Sequence, residues 1–320
     1  MNSSVQVIGA GAWGTALALQ AVRAGARVRL WVRDPAKAEA MARTRENPRL
    51  PGIPLPPALH ISHRWEPADL LLLAMPMQAL RALAPALPPG LLVACCKGVE
   101  QGTHKLPLEI LADLHPSRPA CVLTGPNFAA EIARGLPAAA VLAGTQADSR
   151  AQALSILATP EFRLYGNDDP IGAQVGGAAK NVVAIAAGAV IGAGLGENAR
   201  AALVTRGLAE LARLATALGG RGETVSGLSG LGDLLLTCTG PASRNFSFGL
   251  ALGQGRSVAE ILAGRSSVTE GVATAPALAA RARDAGVELP IAEAVAAVVE
   301  GRLALPDAIR TLLARPRRDE

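Results

Sequence analysis

The sequence predicts an α/β protein: a Rossmann-type doubly wound sheet domain over residues 1–178, followed by an all-α helical domain over 179–320. Three observations predict it. A short apolar run, Val5 to Ile8, feeds straight into a glycine-rich turn and then a helical segment. Further short apolar runs alternate with helical stretches, the pattern of strands buried on both faces of a parallel sheet. After Pro170 the texture changes to helical periodicity broken by glycines, and no convincing strand remains.

The first element carries the sharpest motif. Gly9-Ala10-Gly11-Ala12-Trp13-Gly14 is GxGxxG, and TALALQAVRAG follows it as a helix. Gly9 permits the tight turn, Gly11 lets the backbone approach a pyrophosphate, and Gly14 allows helix and strand to pack closely. The phosphates would sit on the helix N-terminus. Gly25 ends that helix, and Arg27 to Val32 is the second strand. Its end reads Trp31-Val32-Arg33-Asp34. An acidic residue there suits the ribose 2′-hydroxyl of NAD, and an arginine the 2′-phosphate of NADP. Both types are present; Arg33 tips the expectation to NADP(H), with NAD the alternative. Asp34 also reads as the N-cap of the next helix, ahead of Pro35.

Asn47 to Pro57 is Pro-rich and must be an ordered loop. His60 and His63 have no third ligand nearby, so they make no metal site. Leu70 to Ala74 and Leu91 to Ala94 are fully apolar strands. Cys95 and Cys96, adjacent in an apparent strand, should face opposite ways. Lys97 then sits at the carboxyl edge of a central strand, where open α/β sheets bind ligands. Ala120 to Leu123 is the next strand, and Thr124-Gly125-Pro126-Asn127-Phe128-Ala129 is its carboxyl-edge loop. Ala138 to Leu142 and Phe162 to Tyr165 add outer strands.

From Pro170 to Gly196 the chain is almost wholly apolar, with Lys180 its one charge. Asp169 and Pro170 read as N-cap and first helical position, and Gly192, Gly194 and Gly196 as the stop. Such a run is long enough to cross a membrane. Gln174, Gly176, Gly177, Asn181 and a central lysine make a poor span, since a mid-bilayer lysine alone costs about 3 kcal/mol. The run therefore reads as a helix buried inside the protein. Its lysine needs a reason, because this chain has four lysines (Lys37, Lys97, Lys105, Lys180) among 31 Lys and Arg residues. A lysine can give up its proton and an arginine cannot. Lys180 is thus either an acid/base or a structural cation matched by a buried carboxylate. Gly176 and Gly177, one turn earlier, would let a ligand approach the backbone. Further on, Gly227 to Thr239 is a glycine-rich turn into an apolar run, where Asp233 reads as an N-cap. Ser243-Arg244-Asn245 offers a hydroxyl, a guanidinium fork and an amide, a set that suits a phosphate or a carboxylate.

Composition bounds the rest. With 320 residues, half of them hydrophobic, the chain can bury a large core, and four Phe, three Trp and one Tyr leave that core aliphatic. The net charge of +5 comes from scattered arginines with no interleaved aromatics, which argues against nucleic-acid binding. Arg315, Arg317 and Arg318, followed by Asp319 and Glu320, read as a solvated end. Cys95, Cys96, Cys121 and Cys238 lack CxxC spacing and read as reduced thiols in the cytoplasm. No signal peptide is read at the N-terminus.

Five motifs stand in order: GAGAWGTALA at 9–18, CCKGVE at 95–100, GPNFAAEIA at 125–133, GGAAKNVVAIAAG at 176–188 and GLGDLLLTCTGPASRN at 230–245. Together they resemble the bacterial NAD(P)-dependent glycerol-3-phosphate dehydrogenases over nearly the whole chain. The resemblance implies a Rossmann domain joined to a helical domain, with the active site between them. It implies reversible reduction of dihydroxyacetone phosphate to sn-glycerol 3-phosphate, feeding phospholipid synthesis. By position it makes Lys180 the proton donor and acceptor. Lys97, Gly125, Asn127, Asp233, Ser243, Arg244 and Asn245 match substrate contacts, with Asp233 able to hold the Lys180 ammonium. Trp13, Arg33, Lys97, Ala129, Arg244, Val268 and Glu270 match cofactor contacts, beside Gly9, Gly11 and Gly14 of the loop. Ala12 stands where many members have Ser, and Asn127 where many have Ser or Thr, so contacts there use backbone or an amide. A β-hydroxyacid or 6-phosphogluconate dehydrogenase would share the architecture, but DLLLTCTGPASRN argues against it; a non-catalytic NADP sensor would not need Lys180 and Asp233. The expected partners are a small phosphate substrate and a second copy of the chain.

Overall fold

A computed structural model describes residues 3–264 and 269–314. The chain forms two compact units, Met1–Lys97 with Leu106–Ala173, and Gly98–Lys105 with Gln174–Glu320. The division falls a few residues before position 178, and a short excursion, Gly98–Lys105, groups with the second unit.

The first unit is built on one eight-stranded sheet. Its strands are β1 (Ser4–Ile8), β2 (Arg27–Trp31), β3 (Leu59–Ser62), β4 (Leu70–Leu73), β5 (Leu91–Ala94), β6 (Ala120–Thr124), β7 (Ala138–Ala143) and β8 (Phe162–Asn167). Their spatial order is β3-β2-β1-β4-β5-β6-β7-β8. Every neighbouring pair is parallel except β6 with β7. The order reverses between β1 and β4, the switch point at which doubly wound sheets bind ligands beyond the carboxyl ends of their strands. The helices are α1 (Ala12–Arg23), α2 (Pro35–Thr44), α3 (Leu80–Leu83), α4 (Pro107–Leu114), α5 (Ala129–Arg134) and α6 (Ala147–Leu157).

Leu70 to Leu73 are each fully buried, as a central strand covered on both faces requires. On one face Val5, Val7, Val28, Leu30, Leu70, Leu72, Val93 and Leu123 pack with Ala16, Leu17 and Ala18 of α1. Two sequence expectations need correcting here. β3 was not anticipated: it has four residues, follows a Pro-rich loop, and alternates buried Leu59 and Ile61 with exposed His60 at the sheet edge. Cys95 and Cys96 are not on a strand, because β5 ends at Ala94; they follow it and are both buried. That burial pushes the Cys95 thiol well above the usual thiol range.

The second unit is helical: α7 (Pro170–Gly192), which begins in the first unit, then α8 (Gly196–Ala217), α9 (Gly222–Ser226), α10 (Asp233–Cys238), α11 (Arg244–Gly253), α12 (Val258–Ala263), α13 (Glu270–Asp284), α14 (Pro290–Val299) and α15 (Leu305–Leu313). Asp169 caps α7 as its sequence suggests, accepting from Gly172 N at 2.9 Å. Gly194 (φ 72°) and Gly196 (φ 85°) make the left-handed break after it. Among the described residues α7 alone is long and apolar enough to cross a membrane, yet 83 % of its most apolar window is buried inside the protein. Much of what buries it is backbone. A Cβ added at Gly188 or Gly192 would lie 2.0 Å from Phe246 O or 2.1 Å from Leu250 O of α11. Reciprocally, a Cβ at Gly249 or Gly253 would lie 1.9 Å from Ile185 O or 2.4 Å from Ala189 O.

A buried carboxylate ties α8 to α14. Glu210 accepts from Ile291 N at 2.8 Å and Ala292 N at 3.4 Å, the orphan amides at the start of α14. Burial pushes its carboxyl up to about 7, and those two amides oppose the rise. The native state therefore holds a proton that the unfolded chain releases above about pH 4.5. Folding stability should fall as pH rises from about 4.5 to about 7 and level off beyond. Glu210→Gln keeps an acceptor for Ile291 N and should flatten that slope in urea unfolding across the same window. An unchanged slope would assign the titration to another group.

Candidate active site

In the first unit the predicted residues gather at the carboxyl ends of the strands. Gly9 has φ 120°, and a Cβ there would meet Ala74 O at 2.7 Å. A Cβ on Gly14 would sit 1.9 Å from Gly9 O, so this glycine is demanded by the turn closing on its own helix. Gly11 is different: a Cβ would meet nothing within 4 Å. It is the N-cap of α1, and no side chain caps that helix. Open space over uncapped amides is what a pyrophosphate needs, so this cradle fits a dinucleotide. Trp13 Nε1 donates to Cys95 O at 3.2 Å, joining the loop to the end of β5.

Arg33 is exposed just past β2, and Asp34 accepts from Ala36 N and Lys37 N as the N-cap of α2. The carboxylate is thereby engaged with its own helix, which leaves the guanidinium as the group beside it with reach. Lys97 Nζ donates to Gly125 O at 3.1 Å, bringing two predicted substrate residues together. Gly125 has φ 137°, and a Cβ there would touch Ala140 Cα at 3.0 Å. Asn127 donates to Ala139 O at 3.4 Å, while its buried Oδ1 has no partner among the described residues. Ala129 begins α5. The sequence reading missed Asn47. Its buried amide donates to Ala10 O at 3.1 Å and Thr15 Oγ1 at 2.6 Å, bracing the glycine loop from behind. Only its place in an ordered Pro-rich loop hinted at this.

In the second unit the centre is one ion pair. Lys180 Nζ donates to Asp233 Oδ1 at 2.6 Å and to Thr237 Oγ1 at 2.9 Å. The Lys180 side chain is 11 % exposed and that of Asp233 1 %. Thr237 Oγ1 lies 3.2 Å from Asp233 Oδ1 and closes the triangle. Thr237 lay in a quoted motif without a role; it is placed one turn after Asp233 on α10 and so on the same face. Asp233 is not the N-cap the sequence suggested. It continues from a π-helical turn, Leu228–Gly232, whose Gly232 N donates to Gly227 O at 3.1 Å. Nor does Gly176 leave room for a ligand. A Cβ there would lie 2.6 Å from Ser229 O of that same turn, so the glycine admits the turn's backbone.

Ser243 caps α11, accepting from Phe246 N at 3.2 Å, and Arg244 is exposed at the helix's first position. Asn245 is buried and spoken for: it donates to Asn181 Oδ1 at 2.8 Å and accepts from Gly271 N at 3.0 Å. Its carbonyl therefore braces α13, and Asn181, next to Lys180, enters the network unforeseen. Glu270 opens α13, whereas Val268 lies outside the described residues. Burial pushes the Cys238 thiol up to about 12, which removes it as a nucleophile.

Comparison with known proteins gives one family. Residues 4–150 match the model for the NAD-dependent glycerol-3-phosphate dehydrogenase N-terminus, and residues 169–310 the model for its C-terminus. A glycerol-3-phosphate dehydrogenase [NAD(P)+] of Acidiphilium cryptum is 59 % identical over 85 % of this chain and 84 % of its own. One from Rhodospirillum rubrum is 50 % identical over 99 % of this chain and 93 % of its own. The crystal structure of glycerol-3-phosphate dehydrogenase from Coxiella burnetii superposes with a TM-score of 0.93 at 36 % identity, covering 98 % of this chain and 99 % of that one.

The ion pair makes a prediction independent of any substrate. Asp233→Ala strands a nearly buried ammonium and should cost about 3–5 kcal/mol in urea unfolding. Lys180→Met combined with Asp233→Leu removes both charges and should recover most of that loss. If the double variant were as unstable as Asp233→Ala, packing and not charge would set the cost.

Proposed function

The chain belongs to the NAD-dependent glycerol-3-phosphate dehydrogenase family, and from that premise we propose how its residues share the reaction. It is an NAD(P)-dependent oxidoreductase that interconverts dihydroxyacetone phosphate and sn-glycerol 3-phosphate, the backbone of glycerophospholipids. The observation that carries the assignment is the Lys180 ammonium held 2.6 Å from Asp233 in an otherwise uncharged helix.

The first unit takes the dinucleotide. Gly9, Gly11, Trp13 and Gly14 would form the cradle, the α1 amides would hold the pyrophosphate, and Ala129 and Lys97 would add further cofactor contacts. The bound cofactor supplies or takes up the hydride. As the ketone becomes an alcohol its oxygen gains negative charge. Lys180 donates a hydrogen bond and then a proton to that oxygen, and takes the proton back in the reverse direction. Asp233 and Thr237 fix where the ammonium points. Arg244, a fork at the start of a helix, holds the substrate phosphate, with Ser243, Asn245, Gly125 and Asn127 shaping the rest of its site. Val268 and Glu270 complete the cofactor set. The cytoplasmic homodimer expected from the sequence belongs to the same proposal.

Arg33 is assigned to the 2′-phosphate, supported by its exposure past β2 and by the commitment of Asp34 to its helix. Arg33→Ala should then weaken NADPH by about 1.5–3 kcal/mol while leaving NADH nearly unchanged in steady-state KM. Equal loss for both cofactors would remove the assignment.

The reaction itself is tested by one panel, following NADPH absorbance with dihydroxyacetone phosphate and with unphosphorylated dihydroxyacetone. Lys180→Met should lower kcat by about 10²–10⁴ on the phosphate substrate with cofactor binding retained. Arg244→Ala should cost about 2–5 kcal/mol in kcat/KM on the phosphate substrate and hardly worsen the already poor unphosphorylated one. If Arg244→Ala hurt both substrates alike, the phosphate assignment would fail. Wild-type enzyme inert toward dihydroxyacetone phosphate would overturn the reading as a whole.

A further inference from the structure

We propose that the amino-terminal end of the β1–β2–β3 half-sheet carries a second binding site, for a small hydroxycarboxylate. A cavity of about 640 Å³ opens there, lined by Ser4, Gln6, Arg27, Arg29, His60 and Glu66 among others. It lies at the opposite ends of these strands from the glycine loop that follows Ile8, so it is separate from the site described above.

The register builds its floor. Gln6 pairs with Arg29 across β1 and β2, and Arg29 with His60 across β2 and β3, so the three side chains stand in one row on one face. The face is the one that α1 does not cover, since Val5, Val7, Val28 and Leu30 alternate with them toward the core. Arg27 is on the same face, two residues before Arg29.

This row holds a concentration of unsatisfied polar groups. Gln6 is 1 % exposed, and neither Nε2 nor Oε1 has a hydrogen-bond partner among the described residues. Arg29 Nε is likewise buried and without one, although its Nη1 pairs with Glu66 at 2.5 Å. Trp65 Nε1 is a further buried donor without an acceptor among the described residues, on a ring that packs against Trp31 outside the cavity lining. Buried polar groups are almost always paired, and leaving them unpaired is costly. Gln6 and Arg29 both line the cavity, so three such atoms border it and point to an occupant.

Their chemistry specifies it. Gln6 Nε2 and Arg29 Nε are donors, and Gln6 Oε1 is the one acceptor. The occupant must bring several acceptor lone pairs and at least one hydroxyl-type donor. Arg27 and Arg29 outnumber Glu66 in the lining, which favours an anion. A carboxylate with a neighbouring hydroxyl meets all three demands. Arg29 is the wall that yields to admit it, because its side chain is 37 % exposed and a half-exposed ion pair to Glu66 holds it only weakly.

The chain has three tryptophans: Trp13 is on the glycine loop, Trp31 ends β2, and Trp65 packs on Trp31 and adjoins Glu66, the partner of Arg29, so the indole N–H signals of ¹⁵N-labelled protein tell the cavity from the glycine loop. L-malate is the probe, and succinate, which lacks the hydroxyl, is its control. Malate should shift the Trp65 signal saturably at millimolar concentration and leave Trp13 unmoved. Succinate should bind about tenfold more weakly, as loss of one buried hydrogen bond implies. Gln6→Leu should weaken malate tenfold or more, yet melt no lower than wild type without ligand, because its amide has no internal partner to lose. In the titrations the proposal is overturned by no saturable Trp65 shift, by a shift that Gln6→Leu leaves intact, or by a Trp13 response in parallel with Trp65. A melting temperature lowered by Gln6→Leu would also overturn it, by showing that the amide is bonded within the protein.

Discussion

The second unit depends on two helices lying backbone against backbone. Gly188 and Gly192 of α7 face the carbonyls of α11, and Gly249 and Gly253 of α11 face those of α7. Helix axes separated by ordinary side chains stand 8–10 Å apart. Here the absence of Cβ atoms on both sides brings the axes closer, which sets Asn245 of α11 against Asn181 of α7. The chain from Asn181 through Asn245 to the Gly271 amide then aligns three helices on the residue next to Lys180. One methyl group at any of those glycines would meet a carbonyl oxygen well inside contact distance, so the geometry around the lysine is inherited from a packing choice two turns away.

The second constraint is electrostatic. A cation placed in an apolar helix must find an anion, and Asp233 is even more deeply buried than Lys180. Thr237 contributes a neutral dipole that bonds both members without adding charge. The resulting ammonium has few ways to turn. That rigidity suits the proton transfer proposed for Lys180, since a donor so held need not reorganise as the oxygen gains charge. The first unit meets an analogous need with backbone instead of charge: Asn47 holds Ala10 and Thr15, and the uncapped α1 amides remain oriented toward open space.

Much of the sheet was legible because burial on both faces writes continuous apolar runs. Leu70–Leu73 and Leu91–Ala94 could be nothing else, and Asp169 and Asp34 announced their caps by the prolines after them. β3 was illegible for the opposite reason: an edge strand needs apolar residues at alternate positions only, and four residues give the pattern too little length. Lys180, Asp233 and Arg244 stood out as charges against an apolar or glycine-rich ground. Thr237 and Asn181 did not, because a polar neutral side chain looks the same in sequence whether it bonds a buried charge or faces water. Gly176 shows the limit most plainly. Its missing side chain was read as space for a ligand, whereas the space is filled by Ser229 and Gly230 from far along the chain, a fact no local pattern encodes.

The π-helical turn at Leu228–Gly232 has a consequence for how this site can vary. Such a turn closes a wider ring than an α-helical one and so holds an additional residue. Asp233 owes its bearing toward Lys180 to that additional length and to Gly230 within it, where a Cβ would lie 1.9 Å from Val225 O. Each residue advances a helix by about 100°. Loss of one residue between Leu228 and Gly232 would convert the turn to regular helix and swing the carboxylate round to another side, although every chemical group of the site would still be encoded. Substitutions away from Gly230 can tune this segment one side chain at a time, whereas a change of length alters the phase of everything downstream on α10 at once. The reading frame of the helix, counted in residues, is thus itself part of what places the ion pair.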